Sequence, residues 1–169
     1  MSYTLTSMRI LGIDPGLATI GIGVVETENY VDFLAIEWLT IVTEAKKDLA
    51  ERLVEIRKDL HEYVVQAKPD LCVVEKLFFT SNVKTGIDVS HARGVIMETI
   101  GSMGIPLIEV TPSELKSGIT GDGKADKKQI QEMLLHILKL EETPKPDDAA
   151  DALALAIFGG LHPQECHIC

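Results

Sequence analysis

Four acidic side chains in this sequence occupy positions where a carboxylate needs a partner. Asp14 ends the first apolar run of the chain, and Glu75 ends a later run of the same kind. Asp148 and Asp151 are three residues apart in a segment otherwise rich in Ala, Leu and Ile. An ionised carboxylate that leaves water unpaired costs several kcal/mol, or its pKa rises until the group is neutral. These positions therefore indicate a site that supplies a cation or hydrogen-bond donors.

Two of these positions also have an ordinary structural explanation. Asp14 precedes a proline and a glycine, which are common turn residues. Asp147 and Asp148 fall in a predicted first helical turn, where negative charge interacts favourably with the helix dipole. Asp151 is harder to explain, because it lies one turn deeper in an apolar helix and the sequence offers few donors with an evident reason to meet it. If the folded chain brings the four carboxylates together, a chemical site explains them better than separate structural roles do.

The surrounding elements must therefore bring these residues together. The runs ending at Asp14 and Glu75 predict buried strands, and the helical segment between them is long enough to connect parallel neighbours. Parallel strands end on the same edge of a sheet, and Asp148 and Asp151 share one helix face. Converging carboxylates suit Mg²⁺, which prefers oxygen ligands. Two such ions about 3.5–4 Å apart activate water and stabilise a leaving oxygen in phosphodiester hydrolysis.

The pattern of apolar residues predicts an α/β fold, with a mixed five-stranded sheet flanked by helices. Three β-rich runs, at residues 8–13, 19–26 and 30–42, have the short connections of an antiparallel meander. Runs at residues 71–75 and 105–110 predict two further strands, which we expect to be parallel. Helical periodicity or helix-start signals follow in five segments, which begin near residues 46, 81, 111, 130 and 147.

Local signals also predict where some of these helices begin and end. Thr111 and Glu114 have the spacing of a capping box, with a proline at the first helical position. Residues 118–123 are rich in glycine and predict a flexible loop. Gly159 and Gly160 are expected to stop the last helix.

The composition is that of one globular domain. The chain has 169 residues, 46% hydrophobic and 25% charged, and we expect the domain to span residues 8–160. Residues 1–7 predict a flexible N-terminal extension, and residues 161–169 predict a flexible C-terminal tail. No apolar run reaches the roughly 18–20 residues of a membrane span. The net charge of −10 argues against a simple nucleic-acid binder, which usually has a basic face.

The three cysteines favour a reducing compartment. Cys72 lies inside an apolar run, which is not the pattern of a disulfide scaffold, and we expect a cytoplasmic protein. Cys166, His167 and Cys169 superficially resemble part of a zinc site. Because the chain has no second cysteine pair to complete that site, a frayed tail is the better interpretation.

Three motifs together resemble the RuvC family of Holliday-junction resolvases, the crossover junction endodeoxyribonucleases. They are Ile-Leu-Gly-Ile-Asp-Pro-Gly at residues 10–16, Pro-Asp to Val-Glu at residues 69–75, and Asp-Ala-Ala-Asp-Ala-Leu-Ala at residues 148–154. The resemblance covers about residues 8–158. It implies an RNase H-like fold, a homodimer and Mg²⁺-dependent paired nicking of four-way DNA junctions. It also implies that the protein works beside the RuvA and RuvB branch-migration proteins.

The resemblance assigns roles to individual positions. The family's catalytic, metal-binding carboxylates fall on the acidic residues already identified: Asp14, Glu75, Asp148 and Asp151. Phe78 matches an aromatic residue that stacks on a base at the opened junction, and Lys116 and Lys127 match basic residues that face the DNA backbone. The family site implies two Mg²⁺ ions, with Mn²⁺ as a substitute. The acidic overall charge departs from what a DNA-binding family leads one to expect.

Other interpretations remain open at this point. ATPases of the sugar-kinase and Hsp70 type also begin with an acidic turn on the first strand, but 169 residues leave no room for their second domain. A junction-binding protein without catalysis would be expected to have lost part of the acidic set. An RNase H-like nuclease with another substrate would share the fold and the metal site. Phe78 and Phe79 would ordinarily bury at least one ring in a core.

Overall fold

The computed structural model describes residues 7–77 and 83–162, with the side chains of residues 83–85 left aside. Phe78 and Phe79 lie outside the described residues, as do most of the predicted N-terminal extension and C-terminal tail. The chain forms five strands and five helices in the described part: β1 Met8–Asp14, β2 Thr19–Thr27, β3 Leu34–Val42, α1 Leu49–Ala67, β4 Leu71–Glu75, α2 Val83–Ser102, β5 Leu107–Val110, α3 Pro112–Thr120, α4 Lys127–Leu138 and α5 Asp147–Leu161.

The strands form one mixed sheet in the order β3-β2-β1-β4-β5. β1, β2 and β3 pair antiparallel, whereas β1, β4 and β5 pair parallel. Ile13 lies opposite Val74 in the β1–β4 pair, so Asp14 and Glu75 are the next residues on adjacent strands. The predicted mixed five-stranded sheet and the adjacency of the two carboxylate-bearing strands are confirmed.

Each face of the sheet carries its own hydrophobic core. Side chains alternate between the faces of a strand, so neighbouring residues enter different cores. On β1, Ile10 packs with α3, α4 and α5, whereas Leu11 packs with α1 and α2. On β4, Val73 and Cys72 divide in the same way. The sheet is therefore covered on both faces, which explains the continuous apolar run of β4.

Helix α1 is amphipathic and ends at Ala67, where Lys68 caps it just before Pro69. Its buried stripe is Ile56, Leu60 and Val64, spaced by four residues along one face. The stripe packs in the core that α1 shares with α2. None of the helices in the described part of the chain has the length and apolar character of a membrane span.

The prediction that Gly159 and Gly160 stop the last helix is wrong. Helix α5 continues through both glycines to Leu161. A Cβ atom on Gly159 would lie 2.5 Å from a methyl carbon of Val73 on β4. A Cβ atom on Gly160 would lie 2.3 Å from the ring of Phe33. The two glycines are therefore contact points against the sheet side of the core, where tertiary packing overrides their weak helix propensity.

The predicted flexible loop at residues 118–123 is also shorter than expected. Helix α3 includes Gly118 and ends at Thr120, and Gly121 caps it with a φ of +79°. A Cβ atom on Gly118 would lie 2.5 Å from the ring of Phe158, so this glycine permits close contact between α3 and α5. The start of the same helix was predicted correctly: Thr111 and Glu114 form the capping box, with hydrogen bonds of 3.1 and 2.8 Å.

Candidate active site

Asp14 and Glu75 lie side by side at one edge of the sheet, at the ends of β1 and β4. The turn that follows Asp14 is held by a small polar network. The hydroxyl of Thr43 donates to the Leu17 carbonyl at 2.6 Å, and its amide donates to the Ala18 carbonyl at 3.1 Å. Arg52 on α1 donates to the Thr43 hydroxyl at 2.8 Å. These contacts tie the turn after the first carboxylate to the end of β3 and to α1.

Helix α5 reaches the same edge because three glycines let it lie directly against the strands. A Cβ atom on Gly21 would be 1.9 Å from the Asp148 carbonyl oxygen and 3.1 Å from the Cβ of Asp14. A Cβ atom on Gly12 would be 1.9 Å from the Ala152 carbonyl oxygen, and one on Gly23 would be 2.5 Å from a backbone nitrogen of α5. Cβ atoms at these sites would force the helix away from the sheet and its carboxylates away from Asp14.

These glycines were not predicted as part of the site, although the sequence contains a signal for them. Gly21 and Gly23 alternate with Ile20, Ile22 and Val24 along β2. Because alternate residues of a strand share a face, this pattern places the isoleucines and the valine in one core and leaves the opposite face without side chains. Such a face admits the backbone of a neighbouring helix.

Burial and mutual repulsion disturb the ionisation of three of the carboxylates. Burial is the largest influence on Asp14 and, with the charges of Glu75, Asp151 and Asp148, raises its pKa from 3.8 to about 8, against a smaller opposing effect of Lys127. Burial and the charge of Asp151 also raise the pKa of Glu75, whereas Lys116 opposes the shift. Burial raises the pKa of Asp151, with Lys127 again opposing. The cluster therefore carries more negative charge than its nearby lysines neutralise.

Lys127 is the donor for Asp151 that the sequence analysis did not identify. Its ammonium group lies 3.3 Å from Oδ2 of Asp151 and 3.1 Å from Oδ2 of Asp147. Partial burial alone would lower the pKa of Lys127, but the hydrogen bond to Asp147 and the charge of Asp151 outweigh it and raise that pKa. Lys127 begins α4, 24 residues before Asp151, so the contact depends on how α4 packs against α5.

Three of the four carboxylates line a cleft of about 200 Å³. Asp14, Glu75 and Asp151 lie on its wall together with Lys116 and Lys127, and the apolar part of the wall comes from α3, α4 and α5. Asp148 is described by the structure but is not among the residues that line the cleft. Its charge nevertheless acts on Asp14 and Asp151 from the first turn of α5. Six of the seven residues with predicted roles thus lie at or beside this cleft, and Phe78 lies outside the described residues.

The donor set of the cleft fits a hard divalent cation. Its acidic wall offers only carboxylate oxygens, which Mg²⁺ and Ca²⁺ prefer. The charges of Glu75, Asp151 and Asp148 contribute to the raised pKa of Asp14, and a bound cation would relieve that repulsion. Within residues 7–77 and 83–162, no group of three or more His, Cys, Asp or Glu side chains is already arranged to hold a metal ion. The cleft thus offers the oxygen atoms that such a cation prefers, and Lys127 contacts one of its carboxylates.

Comparison with known proteins identifies the family. The family model described as Crossover junction endodeoxyribonuclease RuvC matches residues 10–159. A protein of that name from Caldicellulosiruptor saccharolyticus is 42% identical over 161 residues, covering 95% of this chain and 92% of the relative. One from Brevibacillus brevis is 47% identical over 150 residues, covering 89% of this chain and 90% of the relative.

A solved structure gives the same result at the level of the fold. The RuvC of Thermus thermophilus in complex with Holliday junction substrate matches with a TM-score of 0.86 and 28% identity, covering 93% of this chain and 95% of that one. This likeness confirms the predicted RNase H-like fold. Because the family model spans nearly the whole described fold, including all four acidic positions, this chain belongs to the RuvC family of crossover junction endodeoxyribonucleases.

Proposed function

We propose that this protein is a structure-selective endonuclease that resolves four-way DNA junctions by paired, symmetric nicks in recombination and repair. The observation that carries the proposal is the acidic cleft of a RuvC-family chain, in which Asp14, Glu75 and Asp151 meet two lysines. Carboxylates at the end of a sheet, with basic residues beside them, suit hydrolysis of a phosphodiester held over a bound metal.

We assign the metal to the four carboxylates and take Mg²⁺ as the ion, with two ions in each site and Mn²⁺ as a substitute. When bound, the ions supply a nucleophilic water and stabilise the leaving oxygen of the cleaved phosphodiester. Asp14 and Glu75 would hold metal from the strand ends, and Asp148 and Asp151 would hold it from α5. Lys116 and Lys127 add the positive charge that attracts a DNA phosphate to this otherwise acidic edge.

Substituting Lys116 and Lys127 tests directly whether the DNA binds across this cleft. Lys116→Ala and Lys127→Ala should each weaken junction binding and reduce the slope of log affinity against log salt by about one unit, since each removes about one phosphate contact. Junction affinity measured across a salt series checks this. Lys128→Ala is the matched control, because Lys128 is next in the chain but pairs with Glu132 on the exposed side of α4. Unchanged slopes in both test variants would place the DNA elsewhere.

The remaining assignments follow from the family resemblance. Phe78 would stack on a base of the opened junction, a contact worth roughly 1–3 kcal/mol. A C₂ homodimer would present two active sites to opposite strands, with α2 as its interface. We also assign the protein a cytoplasmic location beside RuvA and RuvB.

The central experiment compares a synthetic four-way junction with a linear duplex of the same sequence. Purified protein with Mg²⁺ should cut the junction at paired positions and leave the duplex intact, and EDTA should abolish cutting. Ca²⁺ should support binding with little cleavage, because its coordination is looser. Asp151→Asn removes one ligand and should lower cleavage by orders of magnitude, while metal-free binding stays equal or tightens.

Each alternative predicts a different result in the same assay. Cutting the duplex as fast as the junction would indicate an RNase H-like nuclease with another substrate. Tight junction binding without cleavage in either metal would indicate a binding protein. Robust cleavage in EDTA, or wild-type cleavage by Asp151→Asn, would contradict the carboxylate mechanism.

A further inference from the structure

Arg93 on α2 contacts the end of the strand that carries Glu75. Its Nε–H donates to the Glu75 carbonyl oxygen at 2.9 Å, and its guanidinium also pairs with the carboxylate of Glu109 on β5. The Arg93 side chain is only 17% exposed, so it is held in place by these partners rather than by solvent. Neither contact was expected from the sequence, because Arg93 is distant in the chain from both Glu75 and Glu109.

We propose that Arg93 is a positioning residue that fixes the backbone of Glu75, so that the Glu75 carboxylate stays in the cleft beside Asp14 and Asp151. This inference rests on the proposed function, in which Glu75 is a metal ligand. Arg93 itself touches neither the cleft carboxylates nor the substrate in this assignment, and it acts through the carbonyl it holds.

Glu75 needs such support because sheet pairing ends beside it. The parallel pairing of β4 with β1 ends at Val74, one residue earlier. On the other side, the pairing with β5 reaches Glu75, and the Lys76 amide donates to the Val110 carbonyl at 2.7 Å. After Lys76 the chain leaves the sheet. Sheet pairing therefore holds Glu75, whose carboxylate lies in the cleft, mainly on its β5 side.

Electrostatic repulsion within the cleft acts on the Glu75 side chain. Glu75 shares the wall of the cleft with Asp14 and Asp151, and groups of like charge on one wall repel each other. Repulsion of this kind would favour rotation toward solvent if the backbone were free to follow. A hydrogen bond from a charged donor to the carbonyl of the same residue opposes that movement, since such bonds are stronger than neutral ones.

The chemistry of the guanidinium explains why arginine serves here. Its planar fork carries five N–H donors in fixed directions, so one side chain holds a carbonyl and a carboxylate at once. Arg93 thereby ties α2 to β4 and β5 together. Arg93 thus links α2, the next described element after Lys76, to the end of the strand that the chain has left. A lysine would present one ammonium and could not hold both acceptors in the same geometry.

The alternative is that Arg93 forms only a structural ion pair with Glu109. Glu109→Gln is the matched control, because it removes the charge of the ion pair while leaving the Nε–H contact to Glu75 possible. Arg93→Ala removes both contacts, and Arg93→Lys keeps the charge and most of the aliphatic stem but loses the fork. Thermal melts of all three establish how much stability the ion pair contributes.

The test measures function and metal binding separately. Arg93→Ala should lower the rate of four-way junction cleavage at saturating Mg²⁺ by at least 10-fold and weaken Mn²⁺ binding, measured by calorimetry without DNA, by at least 3-fold. Junction affinity in Ca²⁺ should remain within 2-fold of wild type. Glu109→Gln should stay within 2-fold of wild type in all three measurements, and Arg93→Lys should fail to restore the Ala variant.

The outcomes separate this proposal from the proposed function. Wild-type cleavage and Mn²⁺ affinity in Arg93→Ala would overturn the positioning role, as would equal losses in Arg93→Ala and Glu109→Gln. If the wild-type protein does not cut four-way junctions, the proposed function fails. In that case the Mn²⁺ titration still decides whether Arg93 supports the carboxylate site.

Discussion

Helices α1 and α5 cover opposite faces of the same sheet in different ways. The 19-residue α1 buries three residues, and the branched side chains of Ile56, Leu60 and Val64 separate its backbone from the strands. The 15-residue α5 buries eleven residues, seven of them Ala or Gly, and its backbone lies directly on the glycines of β1 and β2. One helix packs through a layer of side chains, and the other packs backbone against backbone.

The difference follows from what each helix carries. A layer of aliphatic side chains adapts when one residue changes, because neighbouring side chains can shift. Contact between backbones cannot adapt in that way. Asp148 and Asp151 lie on the helix with the rigid contact, so their distance from Asp14 is set by glycines rather than by adjustable side chains. Precision at the carboxylate cluster and adaptability on the opposite face are therefore properties of two different interfaces.

The largest expected effect comes from adding one methyl group beneath α5. In Gly21→Ala the new Cβ would clash with the Asp148 carbonyl oxygen at 1.9 Å, so α5 must move away from Asp14. We expect junction cleavage to fall by at least 100-fold and stability by about 1–3 kcal/mol, the usual range for overpacking. Cleavage assays and chemical denaturation measure the two effects.

The matched control for this substitution is Gly101→Ala near the end of α2. A Cβ atom there would meet nothing within 4 Å, and replacing a helical Gly with Ala should stabilise the protein by about 0.5–1 kcal/mol. If Gly21→Ala behaved like this control, the close approach of α5 would not be what positions the carboxylates.

On the α1 side, a larger loss of packing should leave the chemistry intact. Leu60 is fully buried, so Leu60→Ala should cost about 2–5 kcal/mol. We expect cleavage per folded molecule to remain near that of wild type, because the α1 interface does not set the distances within the cleft. Denaturant titrations give the stability loss, and cleavage at a temperature well below the melting transition gives the activity. A fall in activity matching Gly21→Ala would remove the distinction between the two faces.

A smaller effect is expected in the pH dependence of stability without divalent cations. The folded protein raises the pKa of Asp14 from 3.8 to about 8, so the folded state binds this proton more tightly than the unfolded chain. Stability from this group is therefore lost as pH rises between those values. Asp14→Asn lacks this loss and should melt several degrees higher than wild type at pH 8, since each kcal/mol corresponds to about 2–4 °C in a protein of this size.

The same melts contain their own control. The difference between wild type and Asp14→Asn should shrink as pH falls from 8 toward 4 and vanish below about 3, where Asp14 is protonated in the unfolded chain as well as in the folded protein. Mg²⁺ should stabilise wild type more than the variant, because it binds the ionised carboxylates. A gap that is constant with pH would show that the charge cluster is not the cause.

Much of the site could be predicted because its signals are local or follow from sheet topology. Glu75 and Asp14 end apolar runs, and a helix between two buried strands makes those strands parallel neighbours, so both carboxylates reach one edge. Thr111 and Glu114 cap α3 as their spacing predicts. These features depend on residues a few positions apart or on the direction in which a strand leaves the sheet.

The sequence alone thus predicts the mixed sheet, most of the bounds of its strands and helices, and the acidic residues at its edge. Tertiary structure decided what these residues touch: α5 runs on through Gly159 and Gly160, Lys127 meets Asp151, and Arg93 holds the Glu75 carbonyl. Each of these outcomes depends on the separation of two segments that are distant in the chain. That separation is set by packing across the whole sheet, so no pattern confined to one segment can predict it.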